Sequence, residues 1–379
     1  MNNFPDKLKK KLRQRLQENS FRTLCTNQEG VDFFSNDYLG FAQNQIILKK
    51  VASYIEKKQL CNGSTGSRLM SGTKPLHFEI EKMLSNYHNS EASLLFNSGY
   101  DANVGLFSSI LQKNDVLLFD EFIHASVRDG VRMTNSTSYK FKHNNLLDLE
   151  KKITKFSQPE SQLYVVVESV YSMDGDTAPL KKIANLCCKY GASLIVDEAH
   201  SGGVFGNLGK GLVCDLNLEK YVFARIHTFG KALGCHGATI LGSNQLRDYL
   251  INFSRAFIYT TAISLHSVLF IKFSYQQLQD NSIYKLRTLI VFFNKKIIHL
   301  NLATYFISST SAIHCCIVPG NNAVKKLSST LNNKGFLVKP VLSPTVPKGQ
   351  ERIRICLHAY NTQKEIEILL NLISFFLKS

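Results

Sequence analysis

The segment Leu194-Ile195-Val196-Asp197-Glu198-Ala199-His200 is an apolar run ending in an acid. Downstream, His227-Thr228-Phe229-Gly230-Lys231-Ala232-Leu233-Gly234 sets a lysine among small residues. The first run reads as a strand, 193–197, and its near-continuous apolar character suits a sheet covered on both faces. Similar runs recur at 92–96, 116–119, 162–168, 222–228 and 238–242. Helical patterns lie between them at 99–112, 122–133, 146–156 and 179–189. Strands alternating with helices predict an α/β domain, doubly wound, with a mostly parallel sheet.

Outward from this core the pattern changes. Residues 5–20 read as a charged amphipathic helix, and the run from Val31 to Gly40 as an extended segment ending in turn chemistry. Beyond about residue 285 a helix (286–300), strands near 313–318 and 352–358, and a closing helix (363–377) predict a smaller α+β C-terminal domain. The expected division is an N-terminal helix and extended segment at 1–45, a large α/β domain at 46–285, and the C-terminal domain at 286–379. No internal repeat is evident.

Composition narrows the class. The chain has 379 residues, 44% of them apolar. Its nine cysteines, Cys25 among them, are odd in number and show no Cys-x-x-Cys spacing. They read as reduced thiols of a cytoplasmic protein. Residues 1–15 are basic but carry no apolar stretch, so no secretory signal is expected. No window reaches the ~18 apolar residues of a membrane span. The net charge of +16 comes from 45 Lys and Arg against 29 Asp and Glu. The basic residues beyond position 15 are dispersed, which argues for a solvated surface or attraction of anionic substrates rather than a nucleic-acid or membrane partner.

The chemistry gathers at strand ends, where open α/β sheets bind ligands. A lysine that attacks a carbonyl must escape its free pKa of about 10.4, and desolvation among small residues provides the means. An acid closing an apolar strand suits a protonated pyridine nitrogen. Lys231 and Asp197 together therefore predict a pyridoxal phosphate site. Asn97-Ser98-Gly99-Tyr100 opens a helix, where backbone N–H groups could cradle a phosphate. His124 and Ser172 follow two further strands, and the Thr228 hydroxyl closes another. Asp197-Glu198-Ala199-His200 also spells the DEAH box of RNA helicases. That reading needs a Gly-x-x-x-x-Gly-Lys-[Ser/Thr] loop, yet Gly209-Lys210 and Gly230-Lys231 continue with Gly and Ala. No third ligand with diagnostic spacing supports a metal at Asp197 and His200, so none is expected.

Read in order, several motifs resemble the α-oxoamine synthases. They are Ser35-Asn36-Asp37-Tyr38-Leu39-Gly40, Gly63-Ser64-Thr65-Gly66-Ser67-Arg68, Asn97-Ser98-Gly99-Tyr100 and His124-Ala125-Ser126. Ser172-Met173-Asp174-Gly175-Asp176, Asp197-Glu198-Ala199-His200, Thr228-Phe229-Gly230-Lys231 and the run from Pro344 to Arg354 continue the match. These are fold-type-I pyridoxal phosphate enzymes that condense an amino acid with an acyl thioester and release CO2. The match is best to the branch using L-alanine and a pimeloyl thioester. The resemblance implies that Lys231 captures the cofactor aldehyde and then acts as a base, with Asp197 on the ring nitrogen. It implies that His124 stacks on the ring, and that His200 and Ser172 hydrogen-bond around it. Gly99, Tyr100 and Thr228 would hold the phosphate, completed by Thr260 or Thr261 of a second subunit in a homodimer. Arg354 would pair with the amino acid carboxylate, with Arg352 two positions away. Arg22, Asn36 and Thr345 match substrate-contacting positions.

Overall fold

The computed structural model describes residues 4–24, 26, 29–158, 160–279 and 281–378, so Cys25 lies outside the described residues. The chain divides into two compact units. One takes Asn36–Ser172 and Asp176–Arg287; the other takes Met1–Ser35, Met173–Gly175 and Thr288–Ser379.

The larger unit is built on a seven-stranded sheet. From one edge the order is Ala92–Phe96, Ala238–Gly242, Ala224–Thr228, Ser193–Asp197, Leu163–Glu168, Val116–Asp120 and Thr137–Phe141. Only Ala238–Gly242 runs against its neighbours. Val165, Val166 and Val167 are all buried, so side chains on both faces of the sheet meet protein rather than water. One face packs under Leu106, Phe107, Val127 and Leu250, the other under Leu149, Ile153, Ile183 and Cys187. Each such side chain contributes roughly 1.5–3 kcal/mol by leaving water, which is why unbroken apolar strands form the centre.

The strands expected at 92–96, 193–197 and 238–242 form as read, and the others shift by one or two residues at an end. Thr137–Phe141 was not anticipated. It is a half-exposed edge strand, and Thr-Ser-Tyr-Lys-Phe lacks the apolar run that marks the buried ones. The helix expected over 122–133 begins only at Ala125, because His124 is its cap and accepts from the Ser126 N–H. Helices Gln45–Lys58, Pro75–Tyr87, Asn244–Phe253 and Leu265–Gln277 were also not anticipated. Their start signals are present: Asn44, Ser243 and Ser264 cap three of them, and Pro75 opens the fourth.

The smaller unit holds a three-stranded antiparallel sheet, ordered Lys339–Val341, Arg352–Cys356 and Ile313–Ile317. Val31–Asp32 pairs in parallel with Phe336–Leu337, which groups the N-terminal segment with the C-terminal elements. The expected charged helix appears as Asp6–Gln17 and the closing helix as Gln363–Lys378. Among the described residues no helix is long and apolar enough to cross a membrane.

Candidate active site

Four polar groups of the larger unit close parallel strands of the sheet. Glu168, Asp197 and Thr228 are the last residues of their strands, and Asn97 follows Phe96. The register pairs Glu168 with Asp197, so two carboxyls stand side by side. Around these ends lies a cavity of about 340 Å³, lined among others by Asn36, Asn103, His124, His200, Gly237 and Lys231. Gly99, Tyr100, Glu168, Asp197 and Thr228 also line it.

Lys231 Nζ is 2.7 Å from His200 Nε2, and His200 Nδ1 is 2.7 Å from the Tyr38 hydroxyl. Tyr38 donates in turn to Asn36 Oδ1 at 3.1 Å. One tautomer satisfies the whole chain: the lysine donates to Nε2, Nδ1–H donates to the tyrosine oxygen, and the hydroxyl donates onward. His200 thus bridges the Lys231 amine and the Tyr38 hydroxyl.

Asp197 is fixed from two sides. Oδ2 accepts from Asn103 Nδ2 at 2.9 Å and Oδ1 from the Ala199 N–H at 2.9 Å. Asn103 Nδ2 also reaches Ser126 Oγ at 3.0 Å, and Ser126 Oγ lies 2.7 Å from His124 Nδ1. Burial holds His124 below its ordinary pKa, against the pull of the Asp197 charge, so its imidazole is neutral at neutral pH. A neutral, flat ring suits stacking. Glu168 behaves oppositely: burial, and then the Asp197 charge, push its carboxyl up to about 8.

These residues fit pyridoxal phosphate. A Cβ on Gly99 would lie 2.4 Å from Thr228 Cγ2, so only glycine leaves the helix start open beside the threonine. Ser98 caps this helix by accepting from the Asp101 N–H, leaving the N–H groups of Gly99 and Tyr100 at its anion-attracting head. Two buried atoms at the cavity, Asn103 Oδ1 and Glu168 Oε1, have no hydrogen-bond partner of good geometry among the described residues. Buried polar atoms in such a position call for a ligand.

Lys231, Asp197, His200, His124, Thr228, Gly99, Tyr100 and Asn36 thus converge on one cavity. Ser172 N–H donates to Glu168 Oε2 at 3.0 Å, but Ser172 is not among the lining residues. Thr260 and Thr261 do not line the cavity of this single chain either. Their Oγ1 and carbonyl oxygen, respectively, accept from Asn97 Nδ2 at 3.0 and 2.9 Å. Arg22, Thr345 and Arg354 belong to the smaller unit. There Arg22 Nη2 donates to Thr345 Oγ1 at 3.3 Å, and Arg354 Nη1 lies 2.8 Å from Cys356 Sγ. Arg352 is buried in an ion pair with Asp174. The sequence reading missed the contributions of Tyr38, Asn103 and Glu168. Asn103 carried a signal, as a lone amide on the apolar face of helix Gly99–Ile110.

Comparison with known proteins gives the family. The aminotransferase class I and II family matches residues 28–373. An 8-amino-7-oxononanoate synthase of Emericella nidulans is 38% identical, over 98% of this chain and 96% of its own length. Among solved structures, the 8-amino-7-oxononanoate synthase of Francisella tularensis superposes with a TM-score of 0.78 at 26% identity. That superposition covers 92% of this chain and 98% of the other. A serine palmitoyltransferase of S. paucimobilis gives a TM-score of 0.89, covering 98% and 97%, but at 24% identity shares only the fold.

Proposed function

The chain belongs to the aminotransferase class I and II family, and from that premise we propose that it joins L-alanine to a pimeloyl thioester. The products are 8-amino-7-oxononanoate, CO2 and the free thiol, a step of biotin biosynthesis. The observation that carries this reading is the Lys231–His200 contact beside Asp197 in one cavity, in a chain whose near-full-length relatives bear that enzyme name.

Pyridoxal 5'-phosphate, when bound, supplies an aldehyde that captures amines and a ring that accepts the electron pair released at the amino acid Cα. Lys231 would hold it through Nζ. The same Nζ would be the base that takes the amino acid Cα proton, for which it must be unprotonated. His200 Nε2, 2.7 Å away, would orient the amine and, with Ser172, hydrogen-bond around the ring. Asp197, clamped by Asn103 and Ala199, would hold the ring nitrogen's proton. His124 would stack on the ring, with Ser172 bonding beside it. Gly99, Tyr100 and Thr228 would hold the phosphate at the helix head.

In the smaller unit, Arg352 is committed to Asp174, which favours Arg354 as the bidentate partner of the alanine carboxylate. Arg22, Asn36 and Thr345 would contact substrate. Thr260 and Thr261 from a second copy would complete the phosphate site, which makes the enzyme a homodimer with shared sites. Cys61, Cys187, Cys188, Cys214, Cys235, Cys315 and Cys316 are free thiols, as suits a cytoplasmic enzyme.

A thiol-release assay decides the substrate. It crosses glycine, L-alanine and L-serine with acetyl, pimeloyl and palmitoyl thioesters. The highest kcat/KM is expected for alanine with the pimeloyl donor. A maximum for glycine with acetyl, or serine with palmitoyl, would overturn the reading in favour of another synthase of the same class.

A further inference from the structure

Glu168 has no part in the steps above, yet it lines the cavity and is only 3% exposed. It stands in register with Asp197 on the neighbouring strand, so both carboxyls reach the same end of the sheet. Their surroundings differ. Both Asp197 oxygens accept hydrogen bonds, from Asn103 and Ala199. In Glu168, Oε2 accepts from the Ser172 N–H at 3.0 Å, whereas buried Oε1 has no partner of good geometry among the described residues. An oxygen so placed is costly as half of an anion but useful as a hydroxyl aimed at a ligand.

We propose that Glu168 is a further positioning residue of this site, a carboxylic acid kept uncharged beside Asp197 that donates a hydrogen bond from Oε1 to the cofactor-bound amino acid. Two adjacent carboxyls do not both ionise readily in a desolvated pocket, and Glu168, whose Oε1 is buried without a partner of good geometry, is the one placed to keep the proton. The groups facing Glu168 are Asp197 on the adjacent strand, Lys231, His124 and Tyr171. Burial, and then the Asp197 charge, disfavour its ionisation, against Lys231 and the backbone N–H groups of Ser172 and His124, which favour it. The cavity thereby gains a donor without a second negative charge to oppose the incoming carboxylate. This inference rests on the function proposed above.

Infrared difference spectra of the cofactor-loaded enzyme test it, comparing about pH 6 with about pH 10 to bracket a raised carboxyl. The wild type should show a protonated-carboxyl band lost as pH rises, and Glu168→Gln and Glu168→Leu should lack it. Kinetics supply the second readout. Glu168→Leu, which has no donor, should raise the alanine KM about tenfold with a smaller change in kcat. Glu168→Gln restores an N–H donor and should bring KM back to within about threefold of wild type. Identical spectra for the wild type and Glu168→Gln would show that the residue is ionised and overturn the proposal. So would a wild-type KM in Glu168→Leu. If the leucine variant does not fold, the spectra and the glutamine variant still decide. The spectra also read Glu168 even if alanine and pimeloyl thioester prove to be the wrong substrates.

Discussion

His143 lies between two carboxylates, its Nδ1 2.9 Å from Asp120 and its Nε2 2.8 Å from Asp176. Burial opposes the charge on its ring, but hydrogen bonds to the two acids outweigh that cost and lift the pKa to about 10. A base whose folded pKa is raised stabilises the fold fully below its unfolded value, about 6.5, and loses that stabilisation as pH rises through about 10. His143→Gln should therefore lower stability at pH 6 and flatten the decline toward pH 10. Denaturant midpoints of both proteins across that range check this. A constant difference between them would refute the assignment. The same reasoning applies to Glu168, an acid raised to about 8, whose contribution is present below about 4.5 and fades as pH climbs through about 8.

At the scale of elements, the turn after Lys231 has to pass very close to another segment. Gly234 has φ of 61°, and a Cβ there would meet Phe41 and Ala42 backbone at 2.5 and 2.1 Å. Left-handed backbone and lack of space act together, so Gly234→Ala should cost about 2 kcal/mol or more. Urea unfolding measures this directly, and an unchanged midpoint would show that the turn can relax. Much of this architecture was legible in the sequence. Buried strands declare themselves by apolar runs, and Asp197 and Lys231 by their positions at or just beyond strand ends. The edge strand Thr137–Phe141 was not, because a half-exposed strand needs no such run. Nor was the Tyr38–His200–Lys231 hydrogen-bonded chain, whose members lie far apart in sequence and meet only through the tertiary fold. The doubling of Glu168 and Asp197 was hidden for a similar reason: strand register, not spacing, makes them neighbours.

At the scale of the whole molecule, a net charge of +16 surrounds a site proposed to take an anionic acyl thioester and a zwitterionic amino acid. Long-range attraction acts on the anion far more than on the zwitterion, and salt screens it over a Debye length of about 8–10 Å at physiological strength. Raising ionic strength from about 0.01 to 0.15 M should lower kcat/KM for the thioester severalfold while leaving that for alanine nearly unchanged. Equal responses would show that the charge is a solvated surface with no role in substrate capture. All of this presupposes that the ε-amine of Lys231 is the group that bonds covalently to the cofactor. Borohydride reduction of the pyridoxal phosphate-loaded enzyme, followed by peptide mapping, measures that bond. The account predicts the reduced pyridoxyl label on Lys231; a label on a different lysine, or no label, would contradict it.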